Sequence, residues 1–380
     1  MTGARPTEAR PTPKTELVVW LALVVALVAL LQAGTPPRMV VLSLIAVAIT
    51  LAASLRWRIG PTVIVVLLLL GMALRAVPST GFSDVLTVTE AAVRDMLAGG
   101  NPYGHGFEES FPPGAPFAYG PLALLWYIPS LDDPKRLELL ASFVVLGLLA
   151  LRGRPLGLAV YAFTPAFVVA AGDGSNDTTA GLLILVSLLV ALRRPVAGAA
   201  LLALAVAFKP YALAWLPGLL AFGGFAGPLV AFLVTSAIVW LPALIAFGPG
   251  NMLTSFRDAD ALHGSAYYSL AYALEAPEAL PKPIWNGLRI AVGVALAVGN
   301  LLFVRTAAGL ILGGTLVFGA TLFLGWWGTF AYLAAVAPIL CWHLDDWLGL
   351  GHQRIVWPGD PVRRVTTWVD RRWPVRSGAV

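Results

Sequence analysis

Residues 156–192 read LGLAVYAFTPAFVVAAGDGSNDTTAGLLILVSLLVAL, two apolar runs on either side of a short polar turn. Each run approaches the roughly 17 to 20 residues that a helix needs to cross a hydrocarbon core about 30 Å thick. Arg152 and Arg154 precede the first run, and Arg193 and Arg194 follow the second. The segment therefore reads as a helical hairpin with both basic ends on one side of a membrane and the turn Gly172-Asp173-Gly174-Ser175-Asn176-Asp177-Thr178 on the other.

The same pattern extends along the chain. Apolar spans are predicted at Leu17 to Gly34, Met39 to Leu55, Pro61 to Val77, Leu137 to Leu151, Leu156 to Ala171, Asp177 to Leu192 and Val196 to Phe208. They continue at Tyr211 to Gly223, Gly227 to Phe247, Ile284 to Val304, Ala307 to Leu324 and Trp327 to Trp342. This is an all-α expectation: a polytopic transmembrane helical bundle of about 12 helices, with a polar leader over 1–16, the multi-helix region over 17–345 and a basic tail over 346–380. Of the 380 residues, 58% are hydrophobic and 12% charged, and the mean hydropathy is +0.82. Such a chain lacks the polar surface of a soluble globule. Arg5, Arg10 and Lys14 precede the first span without a small-residue cleavage site, so that span is expected to be a retained helix.

The formal charge of +5 is scattered over short loops and the tail, which suits a topology signal and argues against nucleic acid as a partner. The sole cysteine, Cys341, excludes an intramolecular disulfide and has no neighbours at thiolate-metal spacing; no metal and no cofactor are expected. Walker, dinucleotide-binding, HExxH and nucleophile-elbow motifs are absent from the sequence. Counting Lys and Arg places both termini in the cytoplasm and the chain in the cell membrane, provided that Pro121 to Pro129 is an interfacial or re-entrant element and does not cross. Two long loops, about 78–136 and 248–283, then face outward. Between Pro78 and Ala118 the first carries Asp84, Glu90, Asp95, Glu108 and Glu109 against Arg94 alone.

Four polar clusters map to that outer face, where charges near membrane depth need a reason. Phe82-Ser83-Asp84 opens Val85 to Ala98, an amphipathic juxtamembrane segment closed by Gly99-Gly100. At a helix N-terminus the Asp84 carboxylate is held ionised, as a proton acceptor or as a plain N-cap. Tyr103 in Asn101-Pro102-Tyr103 and Tyr119 in Tyr119-Gly120-Pro121-Leu122 suit either sugar stacking or the aromatic belt of a membrane interface. The turn at 172–178 offers Asp173, Asn176 and Asp177 to a hydroxyl-rich ligand, with capping of the next helix as the simpler role. Lys209, one of four lysines, stands between two apolar spans in Phe208-Lys209-Pro210-Tyr211. It either snorkels to the interface or binds a phosphate oxygen. A mixed patch in the second outer loop holds Arg257, Asp258, Asp260, His263, Tyr267 and Tyr268.

In this order, Phe82-Ser83-Asp84, Gly100-Asn101-Pro102-Tyr103, Tyr119-Gly120-Pro121-Leu122, Gly172 to Asp177 and Phe208-Lys209-Pro210 resemble the GT-C superfamily of membrane glycosyltransferases. The similarity is greatest to the polyprenyl-phosphate-mannose-dependent mannosyltransferases, from about Pro61 to Gly223. The resemblance implies that Asp84 is the general base, that the donor is a polyprenyl-phosphate-linked sugar within the membrane lipids, and that the acceptor is a glycolipid or glycan outside the cytoplasm. It departs from many relatives at Asp173, where they carry Gln or His, and from some at Gly120-Pro121, where they carry Pro-Pro. Under the inverting mechanism this implies, Lys209, with Arg257 as second choice, meets the charge of the leaving phosphate. Asp173, Asn176 and Asp177, with Tyr103, Tyr119 and His263, hold the sugar or acceptor. A secondary transporter or lipid-linked sugar flippase is the rival expectation.

Overall fold

The computed structural model describes residues 37–56, 59–77, 83–262, 268–274 and 280–350, with four further positions at 364, 367, 368 and 371. The predicted leader, the first span, Phe82, His263, Tyr267 and most of the predicted tail lie outside the described residues. The fold is all-α. The described strand content is one antiparallel pair of two residues each, β1 (Gly106–Phe107) and β2 (Ala115–Pro116).

Every predicted span among the described residues contains helix, and prolines decide where most of the helices begin or break. Pro61, Pro155 and Pro195 occupy first turns, where the missing N–H is no loss. Pro165 interrupts the predicted span Leu156 to Ala171, which divides at Thr164 into Pro155–Phe163 and Pro165–Ala170. Pro210 turns the predicted span after Lys209 into a 3-10 helix, Pro210–Trp215, followed by a short helix, Leu216–Phe222. The last predicted span begins later than its hydropathy implies, at Ala331, because Gly325 to Phe330 form an irregular segment; it runs to Trp347. Pro121–Tyr127 is two turns of helix, about 10 Å by helical rise, far short of a crossing. Among the described residues two helices are long and apolar enough to cross a membrane, Ala226–Phe247 and Lys282–Phe303, and only 11% and 6% of their apolar windows are buried.

The chain forms two compact units. The first comprises the described residues within 1–77, 143–168 and 340–380. In it α1 (Pro37–Arg56) and α2 (Pro61–Ala76) pack on α6 (Pro155–Phe163). Gly71 lies so close to Ala162 that an added Cβ would stand 2.9 Å from the alanine methyl. Arg75, buried although it lies in an apolar helix, donates to the carbonyls of Gly71, Ala162 and Tyr161, so its charge serves the end of α6. Asp345 accepts from the Leu156 and Gly157 N–H groups and caps the opposite end of the same helix.

The second unit comprises the described residues within 78–142 and 169–339. Its elements, in chain order, are α3 (Val85–Leu97), the β1–β2 hairpin, α4 (Pro121–Tyr127), the start of α5 (Lys135–Arg152), the end of α7 (Pro165–Ala170), α8 (Asp177–Ala191), α9 (Pro195–Phe208) and α10 (Leu216–Phe222). There follow α11 (Ala226–Phe247), α12 (Pro249–Leu262), α13 (Leu270–Ala273), α14 (Lys282–Phe303), α15 (Ala307–Phe323) and the start of α16 (Ala331–Trp347). α9 packs between α8 and α11, and α15 packs against α14 and the 3-10 turn. α3 is amphipathic as predicted: Leu86, Val88, Thr89, Ala92 and Val93 are buried, while Glu90 and Arg94 pair on the outer face. Its buried face joins Tyr103, Phe117, Leu124, Tyr127 and Phe208 in one apolar cluster.

Candidate functional site

The four polar clusters of the sequence converge in the second unit. The start of α3 is stitched to the 172–178 turn by backbone bonds: Ser83 N–H donates to the Asp173 carbonyl at 2.7 Å and Leu86 N–H to the Gly174 carbonyl at 2.8 Å. Gly174 has φ +100°, and an added Cβ would stand 2.3 Å from the Ser83 carbonyl oxygen. Gly174→Ala is therefore expected to destabilise the protein by at least about 2 kcal/mol, from the positive φ and the overlap together. It should also lower any activity that needs Asp84, as equilibrium unfolding in detergent and an activity assay on the folded fraction would measure.

A second seam joins the other two clusters. The Tyr103 hydroxyl donates to the Tyr119 carbonyl at 3.0 Å, and Gly120 N–H donates to the Phe208 carbonyl at 3.3 Å. Gly120 lies against the last turn of α9, where a Cβ would meet the Ala207 carbonyl oxygen at 2.0 Å. The Tyr119 ring is thereby set 5.3 Å from the Lys209 ammonium.

Lys209 turns inward; it does not snorkel. Its side chain is 7% exposed, and it donates to Asn176 Oδ1 at 2.6 Å and to Asp177 Oδ1 at 2.8 Å. The rings of Tyr119, Tyr211 and Tyr332 stand 5.2–5.7 Å from its nitrogen, within cation–π range. The Tyr211 hydroxyl also donates to Asp177 Oδ1, at 2.6 Å. A buried charge of each sign is thus matched and hydrogen-bonded, which is the condition for burying either. Two of the three lysine N–H bonds are committed to this box.

Neither Asn176 nor Asp177 caps α8 with its side chain. That role falls to Glu138, a residue the sequence did not single out. From the first turn of α5 its buried carboxylate accepts the Thr179 N–H at 2.9 Å, the Thr179 hydroxyl at 2.5 Å and the Tyr127 hydroxyl at 2.5 Å. Glu138 thereby fixes the helix end that presents Asn176 and Asp177 to Lys209. The visible signal was a carboxylate inside an apolar span, but its partner Thr179 lies 41 residues away.

Asp173 is buried, and its Oδ1 accepts the Ser175 N–H at 2.8 Å. Burial raises its pKa above the ordinary carboxylate value. Burial likewise raises the hydroxyl pKa of Tyr119, with further contributions from the nearby Tyr332, Asp177 and Asp84. Tyr119 therefore lies within electrostatic range of both Asp84 and the Lys209 box.

Asp84 occupies the N-cap position of α3 but makes no side-chain cap. Its Oδ2 instead accepts the Phe111 N–H at 3.0 Å, from the turn between β1 and β2. The residue is partly exposed, and its Oδ1 has no hydrogen-bond partner among the described residues. A fixed, solvent-reachable carboxylate with one open oxygen is able to take a proton from a bound hydroxyl. The structure does not bring Arg257 into the box: it is 75% exposed and pairs with its neighbour Asp258 at 3.1 Å. His263 lies outside the described residues. No group of three or more His, Cys, Asp or Glu able to hold a metal ion occurs among the described residues. In comparisons with protein-family models, curated proteins and solved structures, nothing matches the chain.

Proposed function

We propose that the chain is a multi-pass membrane glycosyltransferase of the GT-C type, moving a sugar, mannose in the first instance, from a polyprenyl phosphate to a glycolipid or glycan acceptor outside the cytoplasm. The observation that carries this reading is the state of Asp84. It is tethered by one oxygen at the head of an amphipathic helix, open at the other, and within electrostatic range of an aromatic residue packed on a buried lysine. In the proposed reaction Asp84 takes the proton of the acceptor hydroxyl as that oxygen attacks the anomeric carbon. The anomeric bond to phosphate breaks with inversion, and the lipid phosphate departs as an anion that needs no proton.

Two further observations support a membrane setting: the two long apolar helices with nearly all of their apolar windows unburied, and the short helix Pro121–Tyr127 at the point where the topology needs a non-crossing element. In this reading Asp173, Asn176 and Asp177 act through the box they build, since their oxygens are turned to Ser175 and Lys209. Tyr119, partly exposed beside that box, is the aromatic surface offered to a sugar ring.

The test is reconstitution of the full chain in liposomes with a labelled polyprenyl-phosphate-mannose donor and a lipid extract as acceptor. Transfer of label that is lost in Asp84→Asn supports the assignment. Movement of a solute or of the intact donor across the bilayer, with no sugar transferred, would replace it with the transporter or flippase reading.

A further inference from the structure

Three tyrosine rings surround the Lys209 ammonium, and their hydroxyls are not equivalent. The Tyr211 hydroxyl donates to Asp177 Oδ1 at 2.6 Å, and the Tyr332 hydroxyl accepts the Trp327 indole N–H. The Tyr119 hydroxyl has no hydrogen-bond partner among the described residues. Tyr119 is half-buried, and its hydroxyl oxygen is not sealed from solvent. The other donors of the box are out of reach: the Lys209 side chain is 7% exposed, and the Asn176 amide nitrogen, itself unpartnered, belongs to a residue 0% exposed. Tyr119 is therefore the donor of this group that a ligand can meet.

The ring that carries this hydroxyl is fixed on three sides. The Tyr103 hydroxyl holds the Tyr119 carbonyl at 3.0 Å, Gly120 N–H is bonded to the Phe208 carbonyl, and the ring packs edge-on against Phe117 with centroids 5.4 Å apart. A hydroxyl committed to nothing on a ring held this firmly is a preorganised donor. Burial, with Tyr332, Asp177 and Asp84 nearby, raises its pKa, so it keeps its proton at neutral pH and donates. The Lys209 ammonium over the ring draws electron density from it and strengthens the O–H as a donor.

Tyr119 lies within electrostatic range of Asp84 and stands against the Lys209 box. In an inverting displacement the base and the leaving group flank the anomeric carbon, so a group in range of both sides lies beside the reacting centre. The two cations expected to meet the leaving phosphate are engaged elsewhere, Lys209 with Asn176 and Asp177 and Arg257 with Asp258. A fixed neutral donor can meet that charge instead, as in an oxyanion hole. We propose that the Tyr119 hydroxyl donates a hydrogen bond to the phosphate oxygen that leaves the anomeric carbon, which makes Tyr119 a second catalytic residue beside Asp84. The bond between that carbon and that oxygen breaks, its electron pair stays on the phosphate, and the Tyr119 proton is not transferred. The contact presupposes the polyprenyl-phosphate-dependent transfer proposed above.

The test is Tyr119→Phe in the full chain, which removes one oxygen and keeps the ring, its Phe117 contact and its place against Lys209. In liposomes with labelled polyprenyl-phosphate-mannose and a lipid extract as acceptor, kcat is expected to fall by about 10²-fold with the acceptor KM unchanged. In nanodiscs, binding of polyprenyl phosphate alone, the departed leaving group, is expected to weaken by at least about tenfold. No binding of polyprenyl phosphate by the wild type, or transfer and binding unchanged in the variant, overturns the contact. A raised acceptor KM with phosphate binding unchanged assigns the hydroxyl to the acceptor sugar and overturns the phosphate role. Displacement of the lipid by an equal concentration of inorganic phosphate would assign the contact to a soluble phosphate and overturn the role at a lipid leaving group. Should the wild type bind polyprenyl phosphate through Tyr119 yet transfer no sugar, the transferase reading fails while the phosphate contact stands; transfer that survives Tyr119→Phe does the reverse.

Discussion

Lys209→Met is expected to destabilise the protein by about 3–5 kcal/mol, the range for removing one partner of a buried ion pair. Methionine keeps the unbranched apolar stem, so the packing loss is small. What remains is the Asp177 carboxylate, 2% exposed, with the Tyr211 hydroxyl as its remaining side-chain donor. Asp177→Asn should be milder, because the amide still accepts from Lys209 while the cation keeps its three tyrosine rings. The double substitution should recover part of the loss of Lys209→Met, since no uncompensated charge is then left buried, and the coupling follows from the cycle of the four proteins. Urea or mixed-detergent unfolding of the purified chain measures all four. A neutral Lys209→Met would mean that the box is open to water in the working protein, and Lys209 would return as a free cation for an anionic ligand.

What the sequence disclosed and what it withheld divide along contact distance. Helix existence was legible because apolar runs and the prolines at 61, 155 and 195 act locally. The breaks at Pro165 and Pro210 are equally local, but hydropathy alone joins the two halves on either side of Pro165. The clusters themselves were visible as islands of polarity. Their pairing was not, because Lys209 and Asp177 are 32 residues apart and Asp84 and the Phe111 N–H are 27 apart. Capping appeared sufficient for Asp177 until Glu138, from another helix, was found in that role. Arg257 stands in a visibly charged loop, yet a neighbouring aspartate satisfies it.

Asp84→Asn is expected to lower sugar transfer by about 10²–10⁴-fold, the usual contribution of a positioned general base, while leaving the folded yield unchanged. The geometry makes the substitution specific. The side-chain oxygen of asparagine still accepts the Phe111 N–H, so the tether between the head of α3 and the β1–β2 turn persists, and only the capacity to take a proton is removed. Asp84→Ala removes the tether as well, and a further fall beyond the asparagine variant would measure how much the turn contributes to acceptor placement. The comparison reads kcat against KM: a base lost with binding intact lowers kcat, whereas a displaced turn raises KM as well. Should Asp84→Asn transfer at the wild-type rate, no other carboxylate of the cluster could inherit the role as it stands. Asp173 and Asp177 are each 2% exposed, with oxygens bound to the Ser175 N–H and to Lys209 and Tyr211. Asp84 would then be a structural tether, and the inverting glycosyl-transfer assignment would lose the residue on which it stands.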